Sequence, residues 1–451
     1  MASKTSPVAA PPLPIPPMPK RRLTDRFLSL FAEVRSGEGI GALMLAANVY
    51  LLLEAYYILK TVREALILSQ GGAEIKAYSS AAQAALLLLI IPAYGILASR
   101  VNRDRLITFV TVFFASHLGI FYLLGQAGIR IGVLFFLWVG IFNVFVIAQF
   151  WALANDLYNK EQGKRLLPIV GIGSSLGAWL GSVHASQLLP TFGPYGLMLI
   201  AGGLLLGCVV VTRLVNRFPG SFSSDGRAAG EKPLGREGAL RLIMNNRYLF
   251  WIAMLMLIVN VVNTTGEFIL SKLVVEEADR LIATGQAPAA EKAVIIGAFY
   301  GRFFSWVNLL GMLLQLFLVS RIFKYIGVRG ALFILPTIAF ASYGLVSFLP
   351  MLGLVRIAKV AENGTDYSIQ NTARQALFLP TSREAKYKAK AAIDSFFWRA
   401  GDVVSATVVF VGARFGFSTQ HYAAVNMVGA LTWIAVVMVI SREHKKLSPA
   451  S

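Results

Sequence analysis

Charged side chains are scarce in this sequence of 451 residues. Asp, Glu, Lys and Arg account for 14% of the chain, whereas 56% of its residues are hydrophobic. A soluble globular protein carries about 25% charged residues. The composition therefore excludes an ordinary soluble domain and predicts an all-α integral membrane protein whose surroundings are membrane lipids.

Cysteine and histidine are also nearly absent. The one cysteine, Cys208, lies in an apolar run, which excludes a disulfide framework and a cysteine-based metal site. The four histidines lack HxxxH or HExxH spacing, and the sequence contains no P-loop. No nucleophile–base pair is apparent either. We therefore expect the protein not to be an enzyme and to need no cofactor or metal.

Acidic residues are outnumbered by basic ones, 23 to 42, which gives a net charge of +19. We expect no nucleic-acid partner, because the positive-inside rule predicts this excess in cytoplasmic loops. Basic clusters do recur in alternate connections, namely 100–105, 160–165, 213–247, 321–329, 386–390 and 442–446. The opposite connections hold little beyond Lys76, Arg130, Arg280, Lys292 and Arg414. The pattern predicts a multi-pass protein of the inner (cell) membrane with both termini in the cytoplasm.

Apolar runs of about 20 residues predict about twelve transmembrane helices in two sets of six. They lie near 41–68, 80–98, 106–124, 131–156, 166–189 and 194–213, then near 248–272, 294–320, 328–349, 351–379, 389–412 and 420–440. The predicted domains are a disordered basic, Pro-rich tail (1–38), a six-helix bundle (39–213), a cytoplasmic linker (214–247), a second bundle (248–440) and a cytoplasmic tail (441–451).

The two bundles look like a diverged repeat. The connection after the second predicted helix reads GILASRVNRDRL, and the one after the eighth reads QLFLVSRIFKYIGVRG. Both contain L-x-S-R followed by Val or Ile and further basic residues. Parallel six-helix repeats around a midplane site resemble the major-facilitator transporters. This resemblance implies that the first, fourth, seventh and tenth helices line a central cavity. We also expect the protein to be a monomer.

Polar side chains form stripes on those four predicted helices. Each charge buried in a bilayer costs roughly 2.5–3.5 kcal/mol on insertion scales, so such residues face a cavity, a partner or a ligand. The candidate substrate-binding residues are Tyr56, Lys60, Arg63, Gln149, Asp156, Asn263, Glu267, Lys359, Glu362, Asp366 and Arg374, with Lys388 and Lys390 after the tenth helix. The candidate gating or coupling residues are Glu54, Asp394, Arg399 and Asp402.

Two plainer interpretations stay open. Acids and bases in the stripes are nearly equal in number, so they could pair as salt bridges that fix helix packing. The fifth predicted helix contains GIGSSLGAWLG, which superficially resembles a dinucleotide fingerprint but follows no strand. Its Gly173, Gly177 and Gly181, spaced by four, instead predict a helix-packing face.

Three short patches carry a more specific pattern. The first is Leu59-Lys60-Thr61 followed by Gly72-Ala73-Glu74, and the second runs from Phe150 to Asp156. The third runs from Arg374 to Asp394 and includes LFLP and KAKAAID. In these patches the chain resembles the bacterial and plastid nucleotide (ATP/ADP) translocases. The resemblance implies nucleotide exchange across a membrane, as in an ATP:ADP antiporter.

The resemblance also implies individual roles. Lys60 would bind phosphate, and the matches to other family positions are Asp156, Glu267 and either Lys388 or Lys390. An adenine ring could stack on Tyr56, Tyr57 or Trp151. The chain departs from the family pattern at Thr61, Gln375 and Asp402. Because one cation is replaced by the anion Asp402, a nucleotide with three or four charges is less well accommodated.

The leading hypothesis is a secondary active transporter that exchanges nucleotides by alternating access. The alternative is a proton-coupled facilitator of another charged metabolite, in which buried carboxylates such as Asp156 and Asp366 carry the proton. A third hypothesis is a membrane sensor or docking protein that uses the basic tails and the Pro-rich N-terminus. All three leave the polar stripes at the centre of the predicted bundle.

Overall fold

The computed structural model describes residues 33–35, 38–100, 103–215, 238–382 and 384–447, without the side chains of 93, 95–100, 103–105, 156, 160 and 387. The predicted tails and linker lie largely outside these ranges. The domain boundaries therefore stay predictions, as does any role for the Asp156 side chain.

Regular structure in the described ranges is entirely helical. The α-helices, in chain order, are α1 (Gly39–Arg100), α2 (Arg103–Gln126), α3 (Gly132–Phe142), α4 (Ala148–Leu157), α5 (Lys160–Val215), α6 (Ala239–Asn245), α7 (Arg247–Ala283), α8 (Lys292–Leu313), α9 (Val319–Phe348), α10 (Leu352–Thr365), α11 (Asn371–Leu377), α12 (Lys390–Ala392), α13 (Trp398–Arg414) and α14 (Thr419–Leu447). Short π-helical turns join several of them, at Asn143–Ile147, Leu314–Leu318, Asp366–Gln370, Ala385–Ala389 and Ile393–Phe397, and a 3₁₀ turn at Ala289–Glu291 precedes α8.

Three long helices are each broken by one glycine. Gly72 in α1 has φ of +76°, and Gly193 in α5 and Gly327 in α9 each have φ of +66°. Glycine reaches this left-handed region without the steric penalty that a Cβ would add, so the chain changes direction there. Eight of the described helical stretches are long and apolar enough to cross a membrane. The prediction of an all-α membrane protein is confirmed, whereas the number of twelve helices stays a prediction.

The first helix packs along the fifth through the predicted glycine face. A Cβ on Gly173, Gly177 or Gly181 would collide with the backbone of Ala46, Tyr50 or Glu54 in α1. The two backbones can approach this closely only because glycine has no side chain. The interpretation of GIGSSLGAWLG as a packing face is therefore confirmed.

Helices from early and late in the chain pack directly on each other. α8 lies against both α5 and α1, and α13 lies against α1 and α7. At the contact of α8 with α5, the Cα of Gly301 approaches Ser186 so closely that a Cβ would lie 2.8 Å from the Ser186 backbone nitrogen. These contacts enclose a polar space between α1, α7, α10 and α13.

Candidate functional site

A cavity of about 210 Å³ lies among these four helices. Its polar lining residues are Lys60, Arg63, Glu64, Lys76, Ser80, Gln83, Asn263, Thr264, Glu267, Asn363, Tyr367, Arg399 and Asp402, and its apolar lining includes Phe136, Phe268 and Phe304. The structure thus brings together several predicted site residues from three separate helices. We call this space the cavity.

A larger and more open chamber of about 580 Å³ adjoins the cavity, and we call it the vestibule. Tyr367 and Arg399 line both spaces. The other polar and aromatic lining residues of the vestibule are Tyr57, Asp366, Asn371, Arg374, Gln375, Phe378, Lys390, Asp394 and Trp398. Ile252 and Met256 place the vestibule at the start of α7. Asn263 to Phe268, about two to four turns further along, face the cavity.

Lys60 is surrounded by aromatic rings. Its Nζ lies 4.2 Å from the ring centroid of Phe304, 5.2 Å from that of Tyr57 and 5.9 Å from that of Tyr367. It also donates a long hydrogen bond of 3.5 Å to the Tyr367 hydroxyl. Within the described part of the chain, no carboxylate oxygen lies within 4 Å of this ammonium group. Its charge is therefore available to an anionic solute.

Glu64 pairs with two cations on the part of the cavity wall that α1 forms. Its carboxylate is buried and lies 2.5 Å from Arg63 and 2.7 Å from Lys76. Lys76 also donates a 2.9 Å hydrogen bond to Ser271 on α7, which links the two halves of the chain. The sequence predicts Lys76 in a connection between helices, but α1 resumes directly after Gly72, which carries Lys76 into the cavity wall.

Lys359 holds the carboxylates of the second half. Its Nζ donates to Asn263 Oδ1 at 2.9 Å and lies 3.2 Å from Glu362 and 3.7 Å from Glu267. Tyr343 donates a 2.7 Å hydrogen bond to Glu362. Lys359 and Glu362 are almost wholly buried, so they support the cavity wall from behind and fix α10 against α7.

The remaining acids of the two chambers are paired as well. Asp402 lies 3.4 Å from Arg399 and accepts a 2.8 Å hydrogen bond from Asn260. In the vestibule, Asp366 lies 3.8 Å from Arg374, and Asp394 lies 2.6 Å from Lys390. Arg374 also stacks over Trp398, with 5.1 Å between its guanidinium carbon and the ring centroid. Every carboxylate on either lining therefore has a cationic partner.

Other predicted site residues lie off both linings. Tyr56 stacks on Phe142, with 6.4 Å between ring centroids, and the Gln149 amide donates to the Tyr94 hydroxyl. Glu54 lies 2.7 Å from Nδ1 of His184 on α5, a partner on a neighbouring helix. Lys388 lies in the π-helical turn Ala385–Ala389.

Sequence reasoning missed Lys76, Gln83 and Tyr367 on the cavity wall. Lys76 stood too close to a predicted helix end to be assigned to a helix. Tyr367 follows Asp366 of the polar stripe, but the π-helical turn Asp366–Gln370 shifts the angular position of side chains, which a spacing of 3.6 residues does not predict.

The known proteins to which this chain is similar are named as carriers and transporters. No family model matches it. The ADP,ATP carrier protein 1 of Rickettsia conorii is 21% identical over 333 residues, which is 66% of this chain and 66% of the carrier. The protein of the same name from Chlamydia trachomatis is 22% identical over 339 residues, 65% of this chain and 61% of the carrier. The chain is similar to ADP,ATP carrier proteins.

This similarity confirms the resemblance to the nucleotide translocases that the three sequence patches predicted. The matched region spans about two thirds or less of the length of each ADP,ATP carrier.

Solved structures support the fold. A POT family transporter in complex with 5-aminolevulinic acid matches with a TM-score of 0.62 and 13% identity, over 91% of this chain and 97% of that one. A bacterial homologue of the iron transporter ferroportin in an inward-facing state matches with a TM-score of 0.60 and 13% identity, over 89% of this chain and 98% of that one. The nucleoside transporter NupG matches with a TM-score of 0.59 and 14% identity, over 89% of this chain and 98% of that one. The chain therefore shares the fold of these three proteins.

Proposed function

We propose that this protein is a secondary active transporter that exchanges nucleotide-type solutes across a membrane by alternating access. The observation that carries the proposal is Lys60, a cation without a carboxylate partner among the described residues, on the wall of a polar cavity. The names of the similar ADP,ATP carriers support the same solute class.

The chemistry of the two chambers suits a phosphorylated solute with a ring. Lys and Arg side chains bind phosphate oxygens, and Arg can do so with two hydrogen bonds. The cavity alone, at about 210 Å³, is smaller than common ligand pockets of roughly 300–1,000 Å³. The solute would therefore place its phosphate near Lys60 and its ring in the vestibule, where Trp398 and Tyr57 supply aromatic surface.

The proposed layout has twelve crossings in two halves. Breaks at Gly72, Gly193 and Gly327 divide three of the eight membrane-crossing stretches, and α10 with α11 adds a further crossing. We further propose that both termini are cytoplasmic and that the vestibule opens to the cytoplasm. The Lys76–Ser271 hydrogen bond and the Gly301–Ser186 contact would close the other side.

Uptake into proteoliposomes tests the proposal. Labelled AMP, ADP and ATP are offered outside, with and without unlabelled nucleotide inside. We expect uptake that depends on internal nucleotide and survives a protonophore. The absence of uptake with every nucleotide would contradict the proposal, and uptake abolished by the protonophore would favour proton coupling instead.

A further inference from the structure

The charge balance of the two chambers sets a limit on the charge of the solute. The cationic lining residues are Lys60, Arg63, Lys76, Arg374, Lys390 and Arg399, and the anionic lining residues are Glu64, Glu267, Asp366, Asp394 and Asp402. The described linings therefore carry one formal positive charge in excess. Lys359 and Glu362 behind the wall do not change this balance, since they carry opposite charges.

The lining cations other than Lys60 are already engaged by carboxylates. Arg63 and Lys76 share Glu64, Arg374 faces Asp366, Lys390 faces Asp394, and Arg399 faces Asp402, all within 4 Å. A solute that recruits one of these cations must draw it away from its carboxylate. A buried carboxylate left without its partner is strongly unfavourable.

Each further phosphate on a nucleotide therefore carries an increasing cost. A phosphomonoester bears about −1.5 to −2 charges at pH 7, which exceed the one positive charge in excess on the linings by no more than about one. A triphosphate adds two more anionic phosphates, for which the linings hold no unengaged cation among the described residues. Uncompensated charge in a partly buried site is costly.

Resting on the proposed function, we propose that the site selects nucleoside monophosphates over nucleoside triphosphates by charge. The carboxylates Asp402 and Asp394 are specificity-determining residues, because each occupies a cation that a longer phosphate chain would need. Asp402 engages Arg399, which lines both chambers, and Asp394 engages Lys390 in the vestibule.

Isothermal titration of the purified full-length protein with AMP, ADP and ATP tests this inference. The buffer contains EDTA, so that no metal ion masks phosphate charge, and has constant ionic strength. We expect AMP to bind roughly tenfold or more tightly than ATP, because one unbalanced charge at close range changes affinity by at least that factor.

Asp402→Asn and Asp394→Asn should each narrow or reverse this preference by raising ATP affinity. Asp394 has 40% of its side chain exposed, so Asp394→Asn tests the inference even if Asp402→Asn does not fold. Asp279→Asn is the matched control, because Asp279 pairs with Lys292 away from both chambers and is 53% exposed. It should leave the AMP-to-ATP ratio unchanged.

The outcomes separate the two proposals. If ATP binds the wild-type protein as tightly as AMP, or if both aspartate variants leave the ratio unchanged, the charge limit is wrong and nucleotide transport still stands. If no nucleotide binds at all, both the proposed function and the charge limit are wrong.

Discussion

Two lysines on one cavity wall differ in their partners, and we propose that one binds solute while the other supports the fold. Lys76 contacts Glu64 and Ser271, whereas Lys60 contacts only aromatic groups among the residues described. We expect Lys60→Gln to weaken nucleotide binding roughly tenfold or more with little change in Tm. Lys76→Gln should lower Tm, since it breaks a buried ion pair and a hydrogen bond between the halves, worth about 1–3 kcal/mol.

Thermal unfolding and titration of both variants measure the difference. A large drop in Tm for Lys60→Gln would show that Lys60 is structural, and it would contradict the role proposed for its free charge.

Because of Glu38, just before α1, we expect the stability of the folded protein to depend on pH. Burial raises the pKa of Glu38, but hydrogen bonds from Arg165, from the Arg35 backbone amide and from Gln162 outweigh it and hold the pKa below its ordinary value. The ionised carboxylate therefore stabilises the fold above the ordinary glutamate pKa of about 4.3, and this stabilisation is lost as pH falls through the lower folded-state pKa.

Glu38→Gln should accordingly lower Tm at pH 7 and flatten the fall of Tm with pH below about 4.3. Tm measured from pH 7 down to the acid limit of the purified protein provides the test. Identical acid limbs in the wild-type and variant curves would show that the contact with Arg165 contributes nothing.

The sequence predicted which helices carry polar site residues better than it predicted where each side chain points. Helical spacing identified Lys60 and Glu267, both of which line the cavity. It also selected Tyr56 and Gln149, which pack on Phe142 and Tyr94. Spacing fixes the angle between residues of one helix, but it does not reveal which neighbour a face meets.

At the scale of the helices, the packing of α5 on α1 allows the clearest test of stability. A Cβ at Gly177 would collide with the Tyr50 backbone, whereas no atom lies within 4 Å of the Cβ position of Gly171 in the same helix. We expect Gly177→Ala to destabilise the protein by about 1–3 kcal/mol, as overpacking does. Gly171→Ala is the matched control.

Gly171→Ala should leave Tm unchanged or raise it slightly, because alanine favours helix more than glycine does. Equal Tm values for the two alanine variants would rule out the close backbone contact.

Helix boundaries were predictable where glycine breaks the chain and less so elsewhere. The predicted gap between 68 and 80 contains Gly72, yet helix resumes at once and includes Lys76. No proline marks that restart, and the charges of Glu74 and Lys76 favour a loop over a membrane helix, so composition alone assigns Lys76 to a loop. The π-helical turns around Asp366 and Asp394 likewise leave no spacing signal.

At the scale of the whole molecule, the sequence revealed the balance between acidic and basic residues in the membrane helices. Acids and bases in the apolar helices are nearly equal in number, and the structure pairs each lining carboxylate with a cation. The choice between salt bridges that support packing and residues that bind solute could not be made from sequence, because it depends on contacts between distant helices. In the structure, the pairs line the chambers and Lys60 remains available.

An experimental structure of the purified protein with AMP would test the central claim most directly. We predict phosphate density in the cavity within hydrogen-bonding distance of Lys60 Nζ, with the ring in the vestibule and the Asp402–Arg399 and Asp394–Lys390 pairs intact. AMP bound elsewhere, or a cavity that remains empty of AMP at saturating concentration, would contradict the account.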